Sequence, residues 1–150
     1  MARLTLAQAT TIVDRALAKA RDLGLVPMTV VVLDAGGHAL ALKREDGSGI
    51  LRVEIATGKA WGALGMGAGS RLLADRVASG PAGAAFVSAA AAASGGRLVP
   101  VAGGVLVRDK GGEAIGAVGV SGDLSDKDEI CALAGIEAAG LAGDTGSPAS

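Results

Sequence analysis

Aromatic residues are almost absent from this chain of 150 residues, which has one Trp, one Phe and no Tyr. Proteins that bind single-stranded nucleic acid stack the bases on aromatic side chains, and nucleic-acid-binding domains in general carry a basic surface. Here 14 Lys and Arg residues face 15 Asp and Glu residues, a formal net charge of −1. We therefore expect no nucleic-acid partner.

Cysteine and histidine occur once each, as Cys131 and His38. One cysteine cannot form an internal disulfide, and structural zinc centres need four Cys or His ligands. The sequence therefore predicts neither a disulfide framework nor a metal site. Cys131 follows a helical pattern of apolar residues and is expected to be a small buried hydrophobic residue.

Long apolar runs are missing as well. No segment of about 18 residues lacks charges or turn residues, which excludes a membrane-spanning helix by sequence. The first 21 residues are interrupted by Arg3, Asp14, Arg15 and Lys19, so they do not form the apolar region of a signal peptide. We expect a cytoplasmic protein without a membrane partner.

Glycine, in contrast, is abundant: 25 of 150 residues, against about 7% in an average protein. With half of the residues hydrophobic, the core must consist of Ala, Val, Leu and Ile, and backbones can approach closely at Gly. The length suits one domain. We assign residues 1–142 to this domain and residues 143–150, which are small and polar, to a flexible C-terminal tail.

The spacing of apolar residues predicts helices alternating with hairpins. Helices are expected at residues 6–23, 50–66, 71–78, 82–93 and from 125 to about 141, and hairpins at residues 28–44 and 105–121. Short turns make paired strands antiparallel. The predicted fold is α+β: a single domain with a mainly antiparallel sheet of about five strands, flanked by helices.

Two predicted elements have unusually small side chains. The second strand of the later hairpin presents Ala117, Gly119 and Ser121 on one face, and the helix at residues 50–66 is rich in Gly and Ala. Both surfaces allow another backbone, a ligand or a partner subunit to approach closely. We expect a ligand pocket where this helix meets the later hairpin; alternatively, the helix is an oligomer seam, which Gly62→Leu would disrupt.

Lys59 is a lone lysine among Ala, Gly and Trp61 on one face of this thin helix, and it can bind an anion or act as an acid/base if burial lowers its pKa. The alternative is a surface lysine whose stem lies along apolar residues. Gly103 and Gly104 precede a strand and Ser121 ends one, so their backbone amides can approach a ligand; alternatively, they form only tight turns. Arg44 and Lys59 are expected to meet the carboxylates of a ligand.

An enzyme that transfers protons is the second hypothesis. Its acid/base residue must lie beside the substrate, and the candidates are Lys59, Asp46, Glu54 and His38. Backbone amides at Gly103 and Gly104 would then stabilise an oxyanion. No nucleotide motif is visible, so a lyase, isomerase or cyclase acting on a small carboxylated or oxygenated metabolite fits best. The alternative for His38 is an exposed residue without a role.

Several short motifs occur together in one order, and in this combination they resemble the GlcG/HbpS family of haem-binding or haem-degrading proteins, which includes the C-terminal domain of the PduO type. The motifs are Val31–Gly37, Arg44–Ser48, Ala56–Ala60, Gly103–Val105, Ile115–Gly122 and Asp128-Glu129. The resemblance covers roughly residues 4–142.

This resemblance implies a compact domain around an antiparallel sheet that assembles into dimers or larger rings. It also implies a small-molecule ligand, with haem or a similar planar cofactor as the candidate. A haem site needs an axial ligand, for which the chain offers His38, Met28, Met66 and Cys131. The first hypothesis is accordingly a small-ligand-binding protein that forms a homo-oligomer.

Overall fold

The computed structural model describes residues 2–147. Helices and pairs of strands follow one another along the chain much as the apolar spacing predicts. In chain order they are α1 (Leu6–Asp22), β1 (Thr29–Asp34), β2 (Ala39–Arg44), α2 (Arg52–Met66), α3 (Arg71–Ala78), α4 (Pro81–Ala93), β3 (Gly104–Arg108), β4 (Ala114–Ser121), α5 (Ser125–Ala138) and β5 (Ala142–Asp144).

The strands form one five-stranded sheet in the order β2-β1-β4-β3-β5, and every neighbouring pair is antiparallel. This confirms the predicted α+β fold with an antiparallel sheet. The register pairs Thr29 with Arg44 on one side and with Ser121 on the other. These three residues therefore lie in one row across the end of the sheet.

Side chains point alternately to the two faces of a strand. Both faces of this sheet carry apolar side chains, and helices cover both of them. On β1, Val30 and Val32 pack in the core formed with α1 and α5, while Val31 and Leu33 pack against α2. Both faces of this strand are thus buried, as its continuous apolar run predicts. A third, smaller core lies around Leu73 between α3 and α4.

The small side chains on one face of β4 allow α2 to pack directly on this strand. A Cβ atom at Gly119 would collide with the carbonyl oxygen of Ala56 and would lie 3.2 Å from the Cβ of Ala60. The predicted close approach is therefore confirmed. Leu73 and Leu98 of the same chain cover Gly62, so Gly62→Leu would disturb packing within one chain, and the oligomer seam on this helix stays a prediction.

The fifth strand corrects the prediction of a flexible tail from residue 143. Ala142–Asp144 pairs with β3, and the guanidinium of Arg108 donates to Asp144 Oδ2 at 2.7 and 3.1 Å. The last helix ends at Ala138 rather than near residue 141, and Gly140 then turns the chain with a φ of +76°. Residues 148–150 of the predicted tail lie outside the described residues.

Within residues 2–147, no helix combines the length and the apolar character that crossing a bilayer requires.

Candidate functional site

The ligand pocket expected between α2 and the β3–β4 hairpin is filled by the protein itself. Lys59, Gly103 and Gly104 do come together, as predicted. However, a Cβ at Gly103 would lie 2.9 Å from Lys59 Nζ, and one at Gly104 would collide with the Lys59 carbonyl group. In this structure the two glycines allow the strand and the Lys59 helix to pack closely.

Lys59 is buried and paired. Its Nζ donates to Asp128 Oδ2 and to the carbonyl oxygen of Val120, both at 2.9 Å. The side chains of Lys59 and Asp128 are only 2% and 1% exposed. Lys59 is therefore neither a surface lysine nor a cation open to solvent. It connects α2 to α5 past the end of β4.

Burial opposes both charges of this pair, because each group loses its hydration. It lowers the pKa of Lys59, which the Asp128 carboxylate counteracts, and it raises the pKa of Asp128, which the Lys59 ammonium counteracts. Asp128 Oδ1 also accepts the backbone N–H of Asp123 at 3.0 Å. The pair is thus satisfied by hydrogen bonds on both sides.

The other polar groups predicted beside Lys59 also have protein partners. The Gly104 N–H donates to Ser70 Oγ at 2.8 Å, and Ser121 Oγ accepts from Arg52 Nη1 at 3.1 Å. Roles in ligand binding or oxyanion stabilisation at Gly103, Gly104 and Ser121 stay predictions. A ligand at Gly104 or Ser121 would have to replace these hydrogen bonds.

Arg44 and Asp46 lie together elsewhere, in an open surface cleft of about 520 Å³. Arg44 Nη1 donates to the carbonyl oxygen of Ser48 at 2.8 Å. Glu45, between them in sequence, pairs with Arg21 at 3.1 Å and accepts the N–H of Met28 at 2.8 Å. Lys59 does not line this cleft, so the structure separates the two cations expected to bind one ligand.

His38 belongs to the turn between β1 and β2, and its side chain is 81% exposed. Its Nδ1 lies 3.3 Å from Asp34 Oδ1. The same carboxylate oxygen accepts the backbone N–H groups of His38 and Gly36, which lowers the pKa of Asp34. The four proton-transfer candidates thus occupy different places, with Glu54 in the groove described next.

A further concave surface is a groove of about 600 Å³ on the outer face of α2, away from the sheet. We call it the α2 groove. Its lining is Gly37, Leu51, Val53, Glu54, Ile55, Thr57, Gly58, Trp61, Gly95, Gly96, Arg97 and Val99. Its size falls within the range of small-molecule sites, which are mostly apolar with a few polar groups. The sequence analysis did not predict it.

Glycines on both sides shape the α2 groove. A Cβ at Gly58 would collide with the carbonyl oxygen of Arg97, so this glycine lets residues 95–99 lie directly on α2. The Val99 N–H donates to the Gly58 carbonyl oxygen at 3.3 Å. On the other side, Gly37 has a φ of +84°, and a Cβ there would lie 3.3 Å from the Trp61 ring. The segment at residues 95–99 and the turn at Gly37 thus form two walls of the α2 groove.

The α2 groove has an acidic and a basic end. The Arg97 guanidinium lies over the Trp61 ring, 5.3 Å from its centre. Glu54 is in the first turn of α2, seven residues before Trp61, which corresponds to about 10 Å along the helix axis. The chain's single Trp, at helical spacing from Glu54 and Gly58, was the sequence signal for this surface.

Comparison with known proteins gives consistent relatives. The family model described as "Haem degrading protein HbpS-like" matches residues 4–137. The crystal structure of a PduOC:haem complex is 25% identical, with a TM-score of 0.81 over 93% of this chain and 97% of that one. A double mutant of HbpS from Streptomyces reticuli is 30% identical, with a TM-score of 0.76 over 91% of this chain and 87% of that one.

An uncharacterized 15.0 kDa protein encoded in the dhaT-dhaS intergenic region of Citrobacter freundii is 31% identical over 137 residues. The match covers 91% of this chain and 92% of the relative. The family model spans the helices from α1 to α5 and four of the five strands, and β5 lies beyond it. The resemblance read from the sequence motifs is therefore confirmed: the chain belongs to the HbpS-like family of haem degrading proteins.

Proposed function

We propose that this protein binds haem or a related planar tetrapyrrole in the α2 groove. The observation that carries the proposal is a groove of about 600 Å³ whose walls are mostly apolar and include the chain's only Trp. A flat, apolar ring would bury its surface against such walls. The haem complex of the PduOC relative, which covers 93% of this chain, supports a ligand of this class.

The residues present fit such a ligand. Leu51, Ile55, Val99 and Trp61 would contact the ring, and Arg97 would meet polar groups at its edge. A bound haem supplies an iron centre whose reactivity depends on its axial ligand and on the polarity around it.

Of the four axial candidates, His38 is the one whose neighbour in sequence lines the groove, although its own side chain does not. It follows Gly37, which lines the groove, and Asp34 contacts its Nδ1; within residues 2–147 no hydrogen bond engages its Nε2. A carboxylate on one ring nitrogen is the usual way in which proteins orient a metal-binding imidazole.

The other three axial candidates lie in cores. Met28 and Cys131 are fully buried between the sheet and the helices α1 and α5, and Met66 packs against the small core around Leu73. Burial raises the pKa of Cys131 to about 11, so its thiol stays protonated at neutral pH.

Titration with haem tests the proposal by two signals. We expect a shifted Soret band and saturable quenching of Trp61 fluorescence at micromolar haem, both weakened by Ile55→Asp in the groove wall. Leu42→Asp, which places the same charge on an exposed position of β2 outside the groove, is the control and should bind normally. Absence of a shifted band and of saturable quenching in the unaltered protein would refute the proposal.

The proton-transfer enzyme remains the alternative, and one observation favours it: Glu54 lies in the same groove as Trp61 and Arg97. A carboxylate there can exchange a proton with a bound metabolite. Glu54→Gln would then abolish turnover while ligand binding persists. Lys59, Asp46 and His38 do not line this groove, so Glu54 is the residue on which this alternative depends.

We also propose that the protein forms a homo-oligomer and acts in the cytoplasm. Helix α4 and the residue after it, positions 81–94, carry no charged side chain, and Phe86 on it is 45% exposed. An exposed apolar helix face is a common subunit contact. Light scattering should give a mass above 14.4 kDa, and Phe86→Glu should reduce it if this helix forms the contact.

A further inference from the structure

We propose that Arg97 binds a carboxylate of the ligand, so that the α2 groove selects planar rings that carry acidic groups along one edge. This inference rests on the proposed function and adds the chemical class that the groove accepts. It is carried by three observations: the open guanidinium of Arg97, the fixed position of its backbone, and the charge difference between the two ends of the groove.

Arg97 has no carboxylate partner among residues 2–147, and of the arginines there without one it alone lines the α2 groove. Arg21, Arg71 and Arg108 each pair with an acidic side chain, at 3.1, 2.9 and 2.7 Å. Arg97 is exposed at the groove and contacts the Trp61 ring through its guanidinium. Its planar donors are therefore available for a carboxylate, which an arginine binds with two parallel hydrogen bonds.

Contacts with α2 restrict both the backbone and the side chain of Arg97. Its backbone packs on Gly58, and the neighbouring Val99 is hydrogen-bonded to α2. The contact with Trp61 restricts the guanidinium further. A side chain that is already restricted loses less conformational entropy when it binds.

The charge distribution gives the ligand one orientation. Glu54 lines the same groove about 10 Å from Trp61 along α2. An acidic edge at the Glu54 end would be repelled, and at the Arg97 end it would be attracted. A ring whose acidic groups all lie on one edge, as the two propionates of haem do, suits this arrangement.

The test compares protoporphyrin IX with its dimethyl ester, because neither contains iron and they differ in charge at the acidic edge. Binding is followed by Trp61 quenching in the full-length protein. We expect Arg97→Ala to weaken binding of the diacid about tenfold and to leave binding of the ester nearly unchanged. Arg97→Lys should fall between, because it keeps the charge and loses the two parallel donors. Glu54→Gln should tighten binding of the diacid.

Arg76→Ala is the matched control. Arg76 also lies over an aromatic ring, that of Phe86 at 4.9 Å, but does not line the groove, so this variant should bind both porphyrins normally. Equal weakening of diacid and ester by Arg97→Ala, or no weakening, would overturn the role of Arg97 while the groove proposal stands. No binding of either porphyrin, or of haem, to the unaltered protein would overturn both.

Discussion

Among single residues, Lys59 shows how a correct signal can lead to an incomplete interpretation. The sequence marks it as a lone lysine among Ala and Gly on a thin helix, and the predicted roles are binding of a ligand's anionic group or acid/base chemistry after burial. The anion turned out to be Asp128. In the sequence, Asp128 follows Ser125 and Asp126 at the start of a helix, where acidic residues are explained by the helix dipole alone. The contact spans 69 positions, which no local pattern reveals.

Removing one member of this pair should destabilise the protein strongly. Lys59→Met leaves the Asp128 carboxylate buried without its cation, and we expect the free energy of unfolding to fall by about 3–5 kcal/mol. Adding Asp128→Asn should recover most of this loss, since the neutral amide would keep an oxygen for the Asp123 N–H. Urea denaturation of the single and double variants measures both effects. A single variant as stable as the unaltered protein would contradict the role assigned to the pair.

At the scale of helices and strands, apolar spacing predicts four of the five strands and all five helices to within a few residues. The exception is β5, because Ala142, Gly143 and Asp144 have no strand-like composition; tertiary contacts with β3 and Arg108 decide its conformation. The α2 groove was missed for a similar reason: residues 95–99, which form one wall, show no regular period. Their position depends on the space at Gly58.

Two glycines of α2 should respond oppositely to alanine. Gly65 has open space around its Cβ position, so Gly65→Ala should raise the free energy of unfolding by about 0.5–1 kcal/mol. Gly58→Ala should lower it and push residues 95–99 away from α2, because its Cβ would collide with the Arg97 carbonyl oxygen. Thermal unfolding measures the stability of each variant, and the fluorescence emission of Trp61 reports whether residues 95–99 have moved away from α2. The same change in both variants would argue against a Gly58 contact.

In the whole molecule, the two faces of the sheet pack against different helices and have different roles. The face toward α1 and α5 is a continuous apolar core, whereas the opposite face supports α2, whose outer side bears the groove. The fold class and the order of elements were predictable, because they follow from hydrophobic period and turn length. The sheet order and the site depend on long-range packing.

The pairing of the edge strand β5 with β3 should depend on pH. Burial alone would raise the pKa of Asp144, but hydrogen bonds from Arg108 and the Gly146 N–H outweigh it and lower the pKa. A lowered pKa in the folded state adds stability above about pH 4, the range of an unfolded Asp, and this stability is lost as the pH falls through the folded value. After correction for the intrinsic rate, which itself falls as the pH is lowered, amide exchange of Leu106 and Asp144 should therefore accelerate in acid.

Asp144→Asn is the control for this effect, because it removes the titrating group. Its exchange rates at these amides, corrected for intrinsic chemistry, should already be fast at neutral pH and change less on acidification. Acid acceleration of equal size in both proteins would assign the effect to other carboxylates, such as Asp34 and Asp123, whose pKa values are also lowered.

One indole and no phenol in 150 residues make this protein a weak absorber at 280 nm. Any tetrapyrrole retained through purification would dominate its ultraviolet and visible spectrum, so even a small fraction of loaded molecules would give the preparation a visible colour. The ratio of Soret to 280 nm absorbance would then report occupancy with unusual sensitivity, and protein concentration should be determined from peptide-bond absorbance instead.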